Sequence, residues 1–476
     1  MGVEEKGRSS ATYEKAALPR VMNIFDATFF YVAAIVSIGW LASAAAVGIP
    51  SLTLWFIAAI TFFIPHAYVA AELGTMMPGE GGIYIWTKEA MGDFAGFICG
   101  WFYWVNNFFY FPMTMIALVT VLFAFYSREM VQNMPIITTV AIAFFWLISI
   151  AGILGLNIGK WIPNIGGLCK IALGGIVLAL CFSFAVFHGF ANDFAISNWV
   201  PTINMVWAPQ APLFSFAFAF AGFEILSSLG DECKNPQRDI PRAIFLTAVI
   251  SALIYIVGTF AILVVIPYSD INILTGMIDA IRYVLRLYGA ETAIYFIGFL
   301  IVVISFGTLS TWILGPVRIL FCTGLDKRLP SIFGHVNEKL RTPDFALLVQ
   351  AIIATILLSF GYFYPKEAVT TFYWTLFSLC AILYFIPYLF MFVDAILLRW
   401  KRPEMPRKVR IPGGLTGVLL VSALGFMVTL ISIGFAFIPP PETELIVYEY
   451  QIVGGTVAFI IVGILLYVAS EFVWRK

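Results

Sequence analysis

The chain is 476 residues long, 61% hydrophobic and only 11% charged, with a mean hydropathy of +0.95. That much apolar surface exceeds what a water-facing domain can bury, which excludes the soluble classes and leaves a polytopic membrane protein facing the lipid bilayer. The formal net charge is zero, which argues against a nucleic-acid partner.

Residues 1–20 are polar and contain no cleavable apolar core, so they read as a tail, and the first apolar run should remain in the mature protein. Twelve runs are long enough to span a bilayer at about 20 residues each. They lie near 24–48, 51–74, 94–126, 135–155, 161–187, 211–231, 241–267, 290–318, 343–362, 368–398, 412–438 and 449–472. Turn signals separate them, among them Gly48-Ile49-Pro50, Pro78-Gly79-Glu80-Gly81-Gly82 and Pro412-Gly413-Gly414. The six cysteines show neither metal-ligand spacing nor a disulfide framework. No paired-histidine metal motif or nucleophile elbow appears, and His66, His188 and His335 lie on separate segments, so neither a cofactor nor an enzyme is expected.

Charge orients the bundle. With the N-terminus inside, 22 of the 27 Lys and Arg fall on that side; Arg128, Arg282, Arg286 and Lys366 fall outside, and Lys170 lies within a span. This bias follows the positive-inside rule and places both termini in the cytoplasm, with the inner (plasma) membrane as the expected location.

Two spans carry an interruption at mid-depth. Span one has Ser37-Ile38-Gly39 near its middle. Span six has Gly222 followed by the acid Glu224 about ten residues after Pro212, roughly 15 Å along a helix. A weak helix former beside an ionisable group at that depth is costly unless the backbone lines a cavity. Spans one and six are five apart, as an inverted repeat of five plus five helices requires, and paired interruptions in matching halves point to a transporter's midplane site. Broken helices offer N–H groups to an anion and carbonyls to an ammonium, so the geometry suits an amino acid.

The segments Met76–Gly92 (MMPGEGGIYIWTKEAMG), Gly222–Ile244 (GFEILSSLGDECKNPQRDIPRAI) and Gly307–Ala346 resemble matching segments of amino acid–polyamine–organocation transporters. Trp101–Pro112 (WFYWVNNFFYFP) is similar to the glutamate/GABA-antiporter-like branch. The resemblance implies an all-α fold of 12 transmembrane helices: a LeuT-like pair of inverted repeats at 21–187 and 211–398, then two more helices at 412–472. It also implies a bundle of helices 1, 2, 6 and 7 rocking against a scaffold of helices 3, 4, 5, 8, 9 and 10. Ser37 and Gly39, with Ile38 between them, match the break that receives a substrate carboxylate, and Ala221 and Gly222 match the break facing the amine. Phe218 sits where relatives carry an aromatic gate, and Trp312 matches an aromatic on helix eight. Where many relatives have glycine-serine-glycine in helix one, this chain has Ser37-Ile38-Gly39-Trp40, so Trp40 brings bulk close to the site.

Tyr103 and Asn107 join the candidate substrate contacts, with helix packing as their alternative role, and Asn106 is read the same way. Glu224 either couples conformations through its protonation or accepts hydrogen bonds from helix one. His66 is either a titrating group or a packing residue, and Asp26 a helix-dipole partner or an inner-gate group. Lys170 lies nine residues into span five, too deep to snorkel, so its ammonium should face protein. The run PNIGGLCKIAL resembles the fifth helix of sodium-independent relatives, where a lysine takes the space of a sodium ion, against carbonyls of helices one and eight. The expected function is sodium-independent transport of amino acids by alternating access, as exchange or with a proton. A polyamine or organic-cation carrier and a non-transporting receptor are the alternatives, and which amino acid is carried and whether the chain forms an oligomer stay open.

The charge bias makes a prediction about sidedness. In intact cells carrying a cysteine-free background, cysteines introduced at Lys327 and Arg402 should resist an impermeant thiol reagent, while one at Asp279 should react. The reverse pattern would invert the orientation.

Overall fold

The computed structural model describes residues 20–473 except 80, 126–127, 155–160, 203–211, 338, 341, 367 and 440–444. The N-terminal tail, Lys160, Arg341 and the C-terminal Arg475 and Lys476 lie outside the described residues.

Among the described residues the regular elements are helical, and a parallel bridge pairs Met22 with Cys233. Among the described residues ten helices are long and apolar enough to cross a membrane, and a bent pair makes up to eleven. The chain is an integral, multi-pass membrane protein. In order the helices are α1 (Ile24–Ile35), α2 (Gly39–Ala45), α3 (Pro50–Met76), α4 (Gly82–Met91), α5 (Asp93–Ala124), α6 (Met134–Ile153), α7 (Trp161–His188) and α8 (Pro212–Ala219). There follow α9 (Pro236–Val265), α10 (Gly276–Leu287), α11 (Ile294–Leu325), α12 (Asp344–Ser359), α13 (Val369–Lys401), α14 (Gly414–Ala436) and α15 (Leu445–Val473).

Local chemistry sets several boundaries. Asn23 opens α1 with a capping box: its side chain accepts from the Phe25 and Asp26 amides, and Asp26 accepts from the Asn23 amide at 3.0 Å. Asp26 also accepts from Asn164 Nδ2 at 2.6 Å, so the acid acts as the N-terminal partner of its helix. Span one breaks after Ile35 and resumes at Gly39 with a bend of 44°, as the Ser-Ile-Gly interruption predicts. In α3 a wide π turn, Ala59–Phe63, precedes Pro65, which has no N–H to donate, and this turn sets the register of His66.

Span six departs most from expectation. It is not a broken pair of α-helices; α8 ends at Ala219, and after the unwound stretch only two 3₁₀ turns follow, Ile225–Ser228 and Gly230–Glu232. Gly222 has φ +124°, a conformation that ends a helix and that side chains oppose. The turn around Gly82 then presses on the 3₁₀ stretch: a Cβ at Gly82 would lie 3.0 Å from the Ser228 amide nitrogen. Gly82 is therefore a point of close backbone approach.

Three smaller corrections concern boundaries. Helix α9 starts at Pro236, with Pro241 inside it rather than at its start, which is tolerable near a helix N-terminus where early N–H groups lack partners anyway. Helix α11 runs on to Leu325, past the expected span end near 318, so Arg318 lies inside it, fully buried, and pairs with the equally buried Glu232 at 2.8 Å. Finally, α4 and α10 do not appear among the predicted spans because they are short and amphipathic; α10 buries Ile278, Ile281, Val284 and Leu285 and turns Asp279 and Arg286 outward.

At the centre, α1 packs against α7, α9 and α11, and α13 runs along α5 and α14. The backbone before α1 is tied to the exit of span six, with the Met22 amide donating to the Glu232 carbonyl at 3.0 Å and the Lys234 amide to the Met22 carbonyl at 2.9 Å.

The Arg318–Glu232 pair should therefore be structural. Removing one partner of a buried pair costs about 3–5 kcal/mol, whereas the exposed Arg402–Glu89 pair should contribute at most about 1 kcal/mol. In detergent, Arg318→Met should melt at least several degrees below wild type and Arg402→Met close to it; equal melting of the two variants would refute the assignment.

Candidate functional site

The first half-helix ends inside the membrane, so its last carbonyls have no turn to bond to and no bulk water. Three side chains from three other helices take them. Lys170, fully buried on α7, donates to the Ala33 carbonyl at 2.6 Å and reaches that of Val32 at 3.4 Å. Trp312 on α11 donates from Nε1 to the Ala34 carbonyl at 3.2 Å. Tyr255 on α9 donates to the Ile35 carbonyl at 2.6 Å, with the Ala219 carbonyl 3.1 Å from the same hydroxyl, and accepts from the Ser37 amide at 3.0 Å. One hydroxyl thus clips the break in span one to the end of α8. Among the described residues the amides of Ile38 and Gly39 have no backbone partner.

The second break is held by Glu224. Its Oε1 accepts from Tyr103 and from Tyr384, each at 2.8 Å, and its Oε2 accepts from Tyr388 at 2.9 Å and faces His66 Nε2 at 2.9 Å. The Tyr384 and Tyr388 hydroxyls also bond to each other. All five side chains are buried, and they come from α3, α5, α13 and the unwound stretch. Tyr31 on α1 donates to the Phe223 carbonyl at 2.7 Å, fixing the unwound backbone on one further side. Neither reading of Glu224 anticipated this arrangement: its donors come from helices two, three and ten, not from helix one.

Between the breaks lies a cavity of about 150 Å³. Of the candidate contacts, Ser37, Ile38, Gly39, Phe218, Ala221 and Trp312 line it, as does Lys170. Trp40 is part of its wall, with its ring centroid 5.7 Å from that of Phe218 and 5.1 Å from that of Phe377. Gly222 lies just behind, where a Cβ would stand 3.1 Å from Ile35 Cγ1 and 3.6 Å from Trp312 Cζ2. Tyr103 and Asn107 do not reach the cavity. Tyr103 is turned to Glu224, and the Asn107 amide donates to carbonyls of its own helix, those of Tyr103 and Trp104. Asn106 reaches the cavity while donating to the Tyr103 carbonyl at 2.6 Å.

Tyr255, Tyr384 and Tyr388 were not among the sequence candidates. Tyr384 and Tyr388 stand four residues apart, hence on one helix face, deep in an apolar span, and each hydroxyl there needs a partner. That was the available signal, hidden by the abundance of aromatics.

The cavity extends from the breaks toward Leu118, Val121, Met277 and Ile301, away from the basic loops. At the opposite end ion pairs cross between helices. Lys88 binds Asp326, Arg328 bridges Asp93 at 2.6 Å and Glu471 at 2.5 Å, and Arg399 holds Glu72 at 2.5 Å.

Comparison with known proteins adds to this geometry. A family model described as amino acid permease matches residues 22–466. An uncharacterized transporter of Legionella pneumophila is 30% identical over 93% of this chain and 96% of its own length. A probable agmatine/putrescine antiporter of Lactococcus lactis is 27% identical over 89% of this chain and 90% of its own. A glutamate/gamma-aminobutyrate antiporter of the same species is 24% identical over 87% and 82%.

Tyr255→Phe tests the clip between the two breaks. It leaves the Ile35 carbonyl and the Ser37 amide without their shared partner, a loss of about 1–3 kcal/mol. The variant should melt lower than wild type in detergent, and an unchanged melting temperature would show that the clip does not stabilise the breaks.

Proposed function

The chain belongs to the amino acid permease family and is a secondary transporter of amino acids, and we propose that it works independently of sodium, by alternating access, as an exchanger or a proton-coupled permease. The observation that carries the sodium-independent reading is the Lys170 ammonium at the Val32 and Ala33 carbonyls. Unwound carbonyls in a transporter's broken helix are where a coupling cation is held, and here the amine of a side chain occupies that position. Both of its bonded carbonyls are on helix one; helix eight contributes the Trp312 indole rather than carbonyls.

In this reading residues 21–187 and 211–398 form two inverted repeats, and helices 1, 2, 6 and 7 rock as a bundle. The substrate carboxylate meets the open amides at Ile38 and Gly39, and its ammonium the backbone unwound after Ala219. Phe218 and Trp312 close over it. Tyr255, touching both breaks, makes them move as one unit. Glu224 with His66 and three tyrosines forms the group through which a proton would be coupled, set behind the cavity rather than in it. With both termini cytoplasmic, the cavity would open outward and the ion pairs about Arg328 and Arg399 would form the closed inner gate. No covalent step is needed.

A second reading, a polyamine carrier, is favoured by the agmatine/putrescine relative. Against it stands the cavity lining, which among the described residues includes no Asp or Glu.

Reconstituted into liposomes, the protein should show counterflow of labelled amino acid at equal rates in sodium and choline buffers, and Lys170→Ala should lose most of that rate. Strict sodium dependence of the wild type would overturn this reading.

A further inference from the structure

We propose that the solute carried is a zwitterionic amino acid with an uncharged, apolar side chain, and not a diamine, an agmatine-like cation or an acidic amino acid. The inference rests on the transporter reading and deepens it, since it concerns the part of the cavity that lies beyond the breaks.

The breaks can satisfy one carboxylate and one ammonium, so selectivity is left to the remaining wall. That wall is built from Met113, Leu118, Val121, Met277, Ile301 and Ile304, together with the hydroxyls of Thr114, Ser305 and Thr308. Among the described residues Lys170 is the only Lys, Arg, His, Asp or Glu in the lining, and its amine is already committed to two carbonyls. A second ammonium or a guanidinium would find no carboxylate there.

The nearest deep acid, Glu224, is not available to it. Each of its oxygens already has two partners, and Tyr384 stands both in the cavity wall and on Glu224 Oε1 at 2.8 Å. A cation could reach the carboxylate only by displacing tyrosines that would then be left buried and unpaired. A side-chain carboxylate is excluded for the complementary reason: no uncommitted Lys, Arg or His faces the cavity, and burying an unpaired charge in apolar surroundings is strongly unfavourable. An apolar side chain gains by the same contacts. Trp40, wedged between Phe218 and Phe377, limits its bulk.

The test is counterflow by the full-length protein in liposomes, with labelled leucine, valine, methionine, alanine, glutamate, agmatine and putrescine, each also used unlabelled as a competitor. Leucine, valine or methionine should exchange best, and glutamate, agmatine and putrescine should compete on the order of 100-fold more weakly. Exchange of glutamate, agmatine or putrescine with an affinity within tenfold of the best neutral amino acid would overturn the proposed class while leaving the transporter reading intact. Preference for alanine over all three larger solutes would overturn the apolar-side-chain part. If none of the seven exchanges, while the reconstituted protein still melts cooperatively, the transporter reading falls and this inference falls with it.

Discussion

A helix that stops in the middle of a bilayer leaves carbonyl groups with neither water nor a next turn to bond, and α1 stops there. The structure around it is organised to meet that demand. Lys170, Trp312 and Tyr255 arrive from three separate helices, and each places one donor on the terminal carbonyls of Val32 through Ile35. Because α7, α9 and α11 must all approach α1 to deliver these donors, the central packing follows from the same requirement. Gly167, which lies over α1, shows how tight it is: a Cβ there would stand 2.7 Å from the Phe29 carbonyl oxygen.

The second break uses the opposite chemistry. Where α1 presents acceptors and receives donors, the stretch after α8 presents one acidic side chain and surrounds it with hydroxyls and an imidazole. A buried carboxylate is tolerable when its oxygens are saturated, and Glu224 is saturated by residues from α3, α5 and α13. The carboxylate is thereby kept out of the cavity, whose wall is left to backbone and largely apolar side chains. Tyr255 joins the two breaks through a single hydroxyl.

Much of this was legible from composition and pattern. Long apolar runs dictate membrane helices because backbone polar groups must be paired within each segment, and eleven of the expected crossings appear as helices or as a bent pair. The Ser-Ile-Gly interruption, the Gly222 and Glu224 pair and the depth of Lys170 were each readable, since a weak helix former beside an ionisable group, or a lysine, is costly at that depth unless something compensates. The family resemblance agrees with the match over residues 22–466. Less legible were elements whose apolar content is modest, such as α4 and α10, and the second half of span six, where hydropathy cannot distinguish an α-helix from 3₁₀ turns.

What the sequence determined by itself is the class, the number of apolar runs, the charge asymmetry and the positions where helices must break. These depend on local composition summed over about 20 residues, which a linear reading captures. Only the tertiary structure decided which groups meet: that Glu224 faces three tyrosines and a histidine instead of the cavity, that Arg318 lies within α11 and pairs with Glu232, and that Tyr103 and Asn107 turn away from the cavity. Those outcomes depend on the rotation of each helix about its axis and on partners more than a hundred residues distant, as from Tyr103 to Glu224. A hydroxyl in an apolar span announces that it needs a partner, but the partner's identity is set by packing.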